Sequence, residues 1–379
     1  MTIGASRVTV IVEGQEVGGW LSGNIFSSCI HAADTFVLRI PVTQRAFNAL
    51  RRDARVTVQA DGVTLIDGFV DRRFVRAKAG TLEIQGRDRV GRLIDESAPA
   101  INYTGMSVVE AIKRLASPWF GAVTIDNSRN RILRRGKGKR VAGTTEPVVT
   151  INVRVPRQGK VHPGESRWQV IHEIASRAGL VVFSSADGRE LFVGKPNQAQ
   201  DPQYLFAATG PDNPIRTNAH DLHVTEDDGE RYSMIMVAGV GGQSDTNFGT
   251  NVTDNRGVAF DNPFNRIDGT GRDFNHPKRL FMPERSFDSF NDAARVAAQE
   301  QARRDYHRHV VTVEMSGFGQ ALSGGAPTVY ATDTVARVIY DDIGIDDTYW
   351  ISTCSYSFDR ETGDVTTLNM VPTGTEVVL

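Results

Sequence analysis

Residues 56–71 read VTVQADGVTLIDGFVD and predict a β-hairpin. Val56, Val58 and Ala60 alternate with polar residues up to Asp61-Gly62, and an apolar run follows the glycine. Asp-Gly favours two-residue hairpin turns, because both central residues of a type I′ turn need a positive φ. The stretch therefore predicts two antiparallel strands whose register is set by the turn.

The segments on either side of this hairpin keep the period of two that marks β-strands. Alternating runs occupy Val8–Val12 and Phe36–Ile40 before the hairpin, and Phe69–Val75 and Thr81–Gln85 extend the pattern after it. Several short strands so close together favour a small antiparallel barrel or sandwich in the first quarter of the chain.

The composition predicts a folded chain of several domains. The length of 379 residues allows about two to four domains, and 40% hydrophobic with 23% charged residues is typical of globular proteins. A net charge of −2 gives no overall basic excess for nucleic acid. Met1–Val12 lacks a signal-peptide pattern and no apolar stretch has membrane-spanning length, so we expect a soluble protein made in a cytoplasm. We expect Cys29 and Cys354 to be buried free thiols.

The middle third contains a repeat of two helix–strand units. Ser107 with Glu110, and Ser166 with Gln169, have the spacing of a capping box before apolar residues at helical spacing. Neither unit can bury its apolar face alone, so we expect the two to pack against each other. The strands predicted after the helices are Ala122–Ile125 and Leu180–Phe183.

Between the repeats lies a basic loop, residues 129–143, which contains no acidic residue. Its glycines predict a loop or an extended hairpin tip. Three interpretations stay open: a solvated tip, contact with an acidic protein surface, or nucleic-acid binding, which the lack of an aromatic residue for base stacking disfavours. The cations that form this candidate interaction site are Arg129, Arg131, Arg134, Arg135, Lys137, Lys139 and Arg140.

The last third returns to β character around one long interruption. Ser233–Val240 predicts a strand, and residues 241–288 are rich in Gly, Asn, Asp and Pro without periodicity, which predicts an irregular insertion. Residues 291–307 predict a helix with a small-residue face. The later predicted strands are Val310–Met315, Val335–Tyr340, Tyr349–Phe358 and Val365–Val371.

The sequence contains no arrangement typical of catalysis or metal binding. It has no Gly-x-Ser-x-Gly elbow, no phosphate-binding loop and no His-Glu-x-x-His, so we expect no enzyme, no catalytic residue and no cofactor. His307 and His309 lack a third ligand nearby, and the aspartates around Gly344 lack calcium-loop spacing, so we expect no metal site. The aspartates, for which we expect a polar hairpin turn, are Asp341, Asp342, Asp346 and Asp347.

Three parts of the sequence together resemble a known family. They are residues 56–71 with their continuation in Leu82–Arg89 and Leu93–Pro99; residues 162–175, which read HPGESRWQVIHEIA; and the C-terminal pattern from Val335 to Asp346 and from Thr366 to Met370. In these parts the chain resembles the baseplate hub proteins of contractile-tailed phages, of the Mu-like and late control protein D type.

The resemblance implies an α+β, mainly β fold with two tail-tube-like antiparallel β-barrel domains and a central pair of small helix–strand modules. The implied domains are residues 1–98, 99–205 and 206–379. It further implies a homotrimer that forms a pseudo-six-fold ring in the virion baseplate, assembled in the host cytoplasm. The implied partners are a trimeric central spike protein, a hexameric tail tube protein and other baseplate proteins, with DNA only passing through the lumen and no stable membrane insertion.

Two rival functions remain for such a sequence. The first is a tail-associated peptidoglycan-binding or cell-wall-degrading protein, because residues 163–166 resemble the start of a LysM module and hydrolysis needs a carboxylate pair. Only residue type suggests Glu165, Glu173 and Glu190 for that pair. The second rival is a nucleic-acid-binding protein that uses the basic loop.

Overall fold

The computed structural model describes residues 7–100, 102–103, 105–126, 161, 163–241, 255–260, 278–287, 290–320, 328–375 and 377. The chain is mainly β with one large sheet, which confirms the predicted α+β, mainly β class. No helix within these ranges is long and apolar enough to span a membrane.

The predicted hairpin lies at the centre of the N-terminal region. The elements here are β1 (Val8–Val12), β2 (Gln15–Glu16), β3 (Ser22–Ser28), β4 (Thr35–Pro41), α1 (Gln44–Ala49), β5 (Arg55–Ala60), β6 (Val63–Arg76) and β7 (Thr81–Asp88). Strands β5 and β6 meet at Asp61 and Gly62, whose φ angles of 49° and 84° are both positive, as the Asp-Gly turn predicts. Alternate residues of β5 are buried, so the period of two has placed its apolar face in the core.

The two central helix–strand units pack together as predicted. The elements are α2 (Val90–Asp95), α3 (Val108–Ala116), β8 (Ala122–Asp126), α4 (Arg167–Arg177), β9 (Val181–Ser184) and β10 (Glu190–Gly194). The apolar faces of α3 and α4 share one core, and β10 lies between β8 and β9 in a three-stranded sheet. The two units therefore bury each other's apolar faces.

The capping box forms fully in only one of these units. Ser166 and Gln169 exchange both expected hydrogen bonds. In the first unit Ser107 caps α3, but the carboxylate of Glu110 accepts from Arg114 one turn later. The predicted box at Ser107 is thus wrong in one half, because an arginine four residues along the helix competes for the glutamate.

The C-terminal part combines a second set of long strands with a smaller separate sheet. The elements are β11 (Tyr204–Ala208), β12 (Asp221–Glu226), β13 (Met234–Gly241), β14 (Asn255–Phe260), β15 (Arg279–Phe287), α5 (Phe290–Tyr306), β16 (His309–Ser316), β17 (Gly319–Gln320), β18 (Thr328–Val329), β19 (Thr334–Tyr340), β20 (Ile345–Asp359) and β21 (Gly363–Pro372). Helix α5 confirms the helix predicted at 291–307.

The insertion predicted as irregular contains regular structure. Strands β14 and β15 lie within residues 241–288 and flank β13 in a three-stranded sheet. Helix α5 packs on this sheet, and Gly257 permits the contact because a Cβ there would lie 2.0 Å from the backbone of Ala293. The prediction failed because the strands are short and separated by long polar stretches, which hide their periodicity.

Two five-stranded modules with the same topology make up most of the large sheet. The first module is β3, β4, β5, β6 and β7, arranged in space as β3-β4-β7-β6-β5. The second module is β12, β16, β19, β20 and β21, arranged as β12-β16-β21-β20-β19. Even the irregularity in the long fourth strand recurs, between Val70 and Arg72 in β6 and between Ile351 and Thr353 in β20.

Candidate functional site: the junction between the two modules

The two modules join edge to edge through β3 and β20. The first half of β20 pairs with β19 up to Ile351, and the second half pairs with β3, from Thr353 opposite Ser28 to Asp359 opposite Ser22. Because β21 runs along the other side of β20 from Tyr349 to Asp359, it spans the point where β19 gives way to β3, and the sheet passes from one module to the next without a break. The junction is therefore built from the main chain, and side chains set its register.

Apolar side chains fill the core face of this junction. Ile25 lies directly opposite Tyr356, and both are almost fully buried. The hydroxyl of Tyr356 donates to the carbonyl oxygen of Tyr330 at 2.5 Å, which satisfies its polar end. At Gly23 a Cβ would lie 2.4 Å from the ring of Phe358, so only glycine allows this close approach. The junction thus belongs to the same buried core as the two modules.

Two buried carboxyl groups tie the junction to the central units. Asp34 accepts from Ser27 Oγ at 2.8 Å and from Ser28 N at 2.9 Å, while the amide of Asp88 donates to the carbonyl oxygen of Asp34 at 3.0 Å. The carboxylate of Asp88 accepts from Val90 N at 3.0 Å and from the hydroxyl of Ser184. The pair therefore links β3, the end of β7 and β9.

The surroundings of these carboxyl groups favour their neutral forms. Burial raises the pKa of Asp88 to about 6, although hydrogen bonds from Ser184 and from backbone amides oppose the shift. Burial raises the pKa of Asp34 well above its usual value, and the nearby charge of Asp88 adds to the effect. Protonation of Asp88 near pH 6 should therefore stabilise the contact between the first module and the central units.

An acidic groove lies between the second module and α5. Its volume is about 990 Å³, and its walls include Phe260 from β14 and Arg308 and His309 from the start of β16. The imidazole of His309 contacts Glu226 Oε1 at 3.1 Å and the hydroxyl of Tyr349 at 3.3 Å. The lining carboxylates are Glu226, Asp228, Asp305, Asp346 and Asp347.

The structure places the residues that the sequence singled out in separate regions. The basic loop with Arg129, Arg131, Arg134, Arg135, Lys137, Lys139 and Arg140 lies outside the described residues.

The aspartates around Gly344 form the predicted hairpin turn, where Asp341 accepts from Asn213 and Asp346 pairs with Arg337. Cys29 and Cys354 are buried free thiols, as expected. Among the described residues, no group of three His, Cys, Asp or Glu side chains is arranged to hold a metal ion.

The glutamates considered for hydrolysis take part in structural contacts. Glu173 forms an ion pair with Arg177 along α4, and Glu190 on β10 accepts from Thr124 Oγ1 at 3.0 Å. Glu165 lies before α4, where its carbonyl oxygen accepts from the amide of Ala98. The three lie on different elements around the central units.

Sequence reasoning missed the exposed apolar residues of the sheet. Phe74 and Val75 near the end of β6 are 44% and 50% exposed, although they lie in a run that the sequence predicts as an ordinary strand. The sequence did contain a signal of this exposure: the two apolar residues lie between arginines, with Arg72 and Arg73 before them and Arg76 after them. These residues lie on the part of β6 that extends beyond β5.

Comparisons with known proteins agree with this architecture. Residues 7–88 match the family described as Mu phage baseplate assembly protein GpP-like, N-terminal. This stretch contains β1 to β7 and therefore the whole first module. A search of curated proteins finds no significant match.

Solved structures share the fold over nearly the whole chain. A tail protein from Neisseria meningitidis is 22% identical with a TM-score of 0.76, and the match covers 98% of each chain. The prophage MuSo2 43 kDa tail protein from Shewanella oneidensis is 15% identical with a TM-score of 0.73, over 98% of this chain and 100% of that one.

A more distant structure has the same arrangement. It is an Escherichia coli component of the type VI secretion system, described as structurally similar to the T4 phage tail proteins gp27 and gp5. Its identity is 8% and its TM-score 0.52, over 96% of this chain and 76% of that one. The resemblance found in the sequence is thus confirmed: residues 7–88 match the Mu phage baseplate assembly protein GpP-like family, and the chain has the fold of phage tail and baseplate proteins.

Proposed function

We propose that this protein is a structural subunit of a contractile phage-tail baseplate, the hub that joins the tail tube to the central spike. Three copies form a ring, and because each copy contributes two modules of like topology, the ring has pseudo-six-fold symmetry. The observation that carries the proposal is the β3–β20 junction, in which two like modules pair edge to edge within one sheet. Repeating such a junction around an axis closes a ring when the rotation from one module to the next is a sixth of a full turn.

The proposed work of the protein is geometric. A ring of six modules matches a hexameric tube on one face, and a ring of three chains matches a trimeric spike on the other. The ring leaves a channel for DNA, and no bound cofactor or catalytic step is required. The domains proposed for these roles remain residues 1–98 and 206–379 for the two ring-forming parts and 99–205 for the central units. We place the working protein in the virion, after assembly in the host cytoplasm.

The mass of the particle in solution tests the ring. Light scattering of the purified chain, alone and with its spike, should give three times the chain mass of 41.6 kDa, and electron micrographs should show rings. A chain that stays monomeric at all concentrations, with and without the spike, would contradict the proposal. A cleared band in a cell-wall zymogram would instead support the peptidoglycan-degrading alternative, and we expect none.

For the basic loop, residues 129–143, we propose contact with an acidic surface of another baseplate protein. The support is its charge: seven cations without an acidic residue. Replacing the seven by serine should weaken that contact without affecting ring formation. A salt-dependent DNA mobility shift that disappears in the same variant would show nucleic-acid binding and overturn this assignment.

A further inference from the structure

The second half of β6 is an open strand edge. Strand β6 pairs with β7 as far as Arg76, but on its other side the ladder with β5 ends at Phe69. In the second module β20 leaves β19 at the same point, and there β3 takes up the vacated side. In the described part of the chain no strand pairs with this side of residues 71–76.

Strand β12 is the second open edge. It occupies the position in the second module that β3 occupies in the first, and among the described residues its one paired strand is β16. Its equivalent β3 pairs with β4 on one side and with β20 on the other. Each module thus has the same two joining edges. Within one chain β20 and β3 use one pair of edges, and the other pair stays open.

We propose that residues 71–76 of one copy pair antiparallel with β12 of the next copy, in the register of the β3–β20 junction. This inference rests on the proposed ring and names the interface that closes it. The contact is head to tail, because each copy contributes β6 on one side and β12 on the other. The sheet then continues from chain to chain in the way that it continues from module to module.

The registers of the two modules fix which residues meet. In the first module Gln85 of β7 lies opposite Val37 of β4, and Val37 lies opposite Asn24 of β3. In the second module Asn369 of β21 lies opposite Thr312 of β16, and Thr312 lies opposite His223 of β12. Asn24 is therefore equivalent to His223, and Ile25 to Val224. The shared irregularity makes Arg72 equivalent to Thr353 and Val75 to Tyr356.

Transferring the β3–β20 register gives a specific set of cross-strand pairs. Tyr356 faces Ile25 within the chain, so Val75 faces Val224 between chains. The neighbouring pairs are Phe74 with Thr225, Arg73 with Glu226, and Arg72 with Asp227.

The charges on the two edges are complementary in this register. Arg72 meets Asp227, and opposite charges directly across two strands stabilise pairing. Arg73 lies opposite Glu226, but within the chain Arg73 already donates to the carbonyl oxygens of Phe47 and Leu50, and Glu226 already contacts His309. The acidic residue of the β6 edge, Asp71, is already engaged by Arg87 at 2.6 Å. The cations within residues 72–78 are Arg72, Arg73, Arg76 and Lys78, and the acidic residues within 221–228 are Asp221, Glu226, Asp227 and Asp228.

The apolar residues agree with the same register. Val75 shares a face with the buried Leu82, its partner on β7, and Val224 shares a face with the buried Val311 on β16. Both therefore lie on the core side of the sheet but at its open margins. Pairing the edges brings the two valines together, where the equivalent Ile25 and Tyr356 are buried within the chain.

Cysteine cross-linking tests the register directly. In Val75→Cys with Val224→Cys, two residues directly opposite across antiparallel strands lie close enough for a disulfide. Mild oxidation should link chains into covalent dimers and trimers on a non-reducing gel. The native Cys29 and Cys354 are fully buried, so they should not contribute. The control Val63→Cys with Val224→Cys places the first cysteine at the opposite end of β6 and should give no ladder.

Charge reversal tests the same contact with exposed residues. Arg72→Glu, and separately Asp227→Lys, should each weaken self-association several-fold, because like charges then meet across the strands. The chain that carries both changes should recover association, since the pair is attractive again. A change that merely damaged the fold would not be rescued, and thermal unfolding of each variant checks this.

The outcomes separate this inference from the proposed ring. If the unaltered chain forms closed rings but the Val75–Val224 cysteine pair does not cross-link, the ring stands and this interface is wrong. Equal cross-linking by the Val63 control, or unchanged association in both charge-reversed chains, also overturns the interface. If the unaltered chain never associates, both the ring and this interface fail.

Discussion

The first and second modules have one topology but differ in how the chain builds them. The first module is continuous from β3 to β7, whereas the second is interrupted between β12 and β16 by the sheet of β13, β14 and β15 with α5. The insertion begins and ends at the ends of strands, so it leaves the strand registers of the module unchanged. The two modules therefore keep the same strand registers although they differ in length and sequence.

The modules also fill equivalent core positions differently. Phe36 lies opposite Gly86 in the first module, and Val311 lies opposite Met370 in the second. A Cβ at Gly86 would lie 2.4 Å from the Phe36 ring, so the large ring and the absent side chain compensate each other. In both modules the two facing side chains together fill the core space between the strands, although neither position keeps the same residue.

The sharpest difference lies at the joining edges. Where β20 meets β3 inside the chain, Tyr356 and Ile25 are buried and neutral. The equivalent Val75 is half exposed and lies between Arg73 and Arg76 along the chain, and Glu226 and Asp227 follow Val224 within three residues. An edge whose partner is always present can be apolar, whereas an edge that waits for another copy needs charges that keep it soluble.

The largest expected effect comes from changing equivalent edge residues. Tyr356→Ala should lower the free energy of unfolding by roughly 3–5 kcal/mol, because it leaves a cavity against Ile25 and an unbonded Tyr330 carbonyl. Val75→Ala should change the stability of the isolated chain by less than about 0.5 kcal/mol, since its side chain is exposed there. Denaturant unfolding of both variants at low protein concentration measures the difference.

Tyr356→Phe separates packing from hydrogen bonding at that position. The ring remains and only the donor to Tyr330 is lost, so the expected cost is about 1 kcal/mol. Equal costs for Tyr356→Ala and Val75→Ala would contradict the difference in burial between the two edges.

A smaller, pH-dependent effect is expected where the first module meets the central units. The ordinary pKa of the Asp88 carboxyl is 3.8 and burial raises it to about 6, so the folded chain binds more protons than the unfolded chain between these values. The stabilisation is therefore complete at low pH and is lost as pH rises through 6. Asp88→Asn removes this titration, and its stability relative to the unaltered chain should rise by roughly 2 kcal/mol between pH 4 and about pH 7.5.

Thermal or denaturant unfolding across that pH range checks the prediction. Ser184→Ala serves as a matched variant: it removes the hydroxyl that stabilises the Asp88 carboxylate, so it should steepen the loss of stability with pH. A pH profile that is the same in the unaltered chain and in Asp88→Asn would mean that the carboxyl does not titrate in this range.

Local signals in the sequence predicted the elements well. The Asp61-Gly62 turn, the two helices beginning after Ser107 and Ser166, and α5 are each determined by residues close together in the chain. The joining of β3 to β20 was not predictable, because the two strands are more than 300 residues apart. The alternation of Gly23 with Ile25, or of Tyr356 with Phe358, shows a strand but does not show which strand pairs with it. The exposed Phe74 and Val75 were also missed, because alternation alone does not tell which strand has an empty side.

The smallest expected effect compares the two helix caps of the central units. Ser166 and Gln169 exchange two hydrogen bonds, whereas Ser107 accepts one from Glu110 N and the carboxylate of Glu110 binds Arg114. Each serine accepts one bond that alanine would lose, so Ser166→Ala and Ser107→Ala should both cost about 1 kcal/mol. The glutamine and the glutamate should differ: Gln169→Ala loses the bond to the Ser166 amide, while Glu110→Ala loses only an exposed ion pair of about 0.3–0.5 kcal/mol. Denaturant unfolding in 1 M salt should reduce the cost of Glu110→Ala and leave that of Gln169→Ala unchanged, because screening acts on the ion pair and not on the neutral cap.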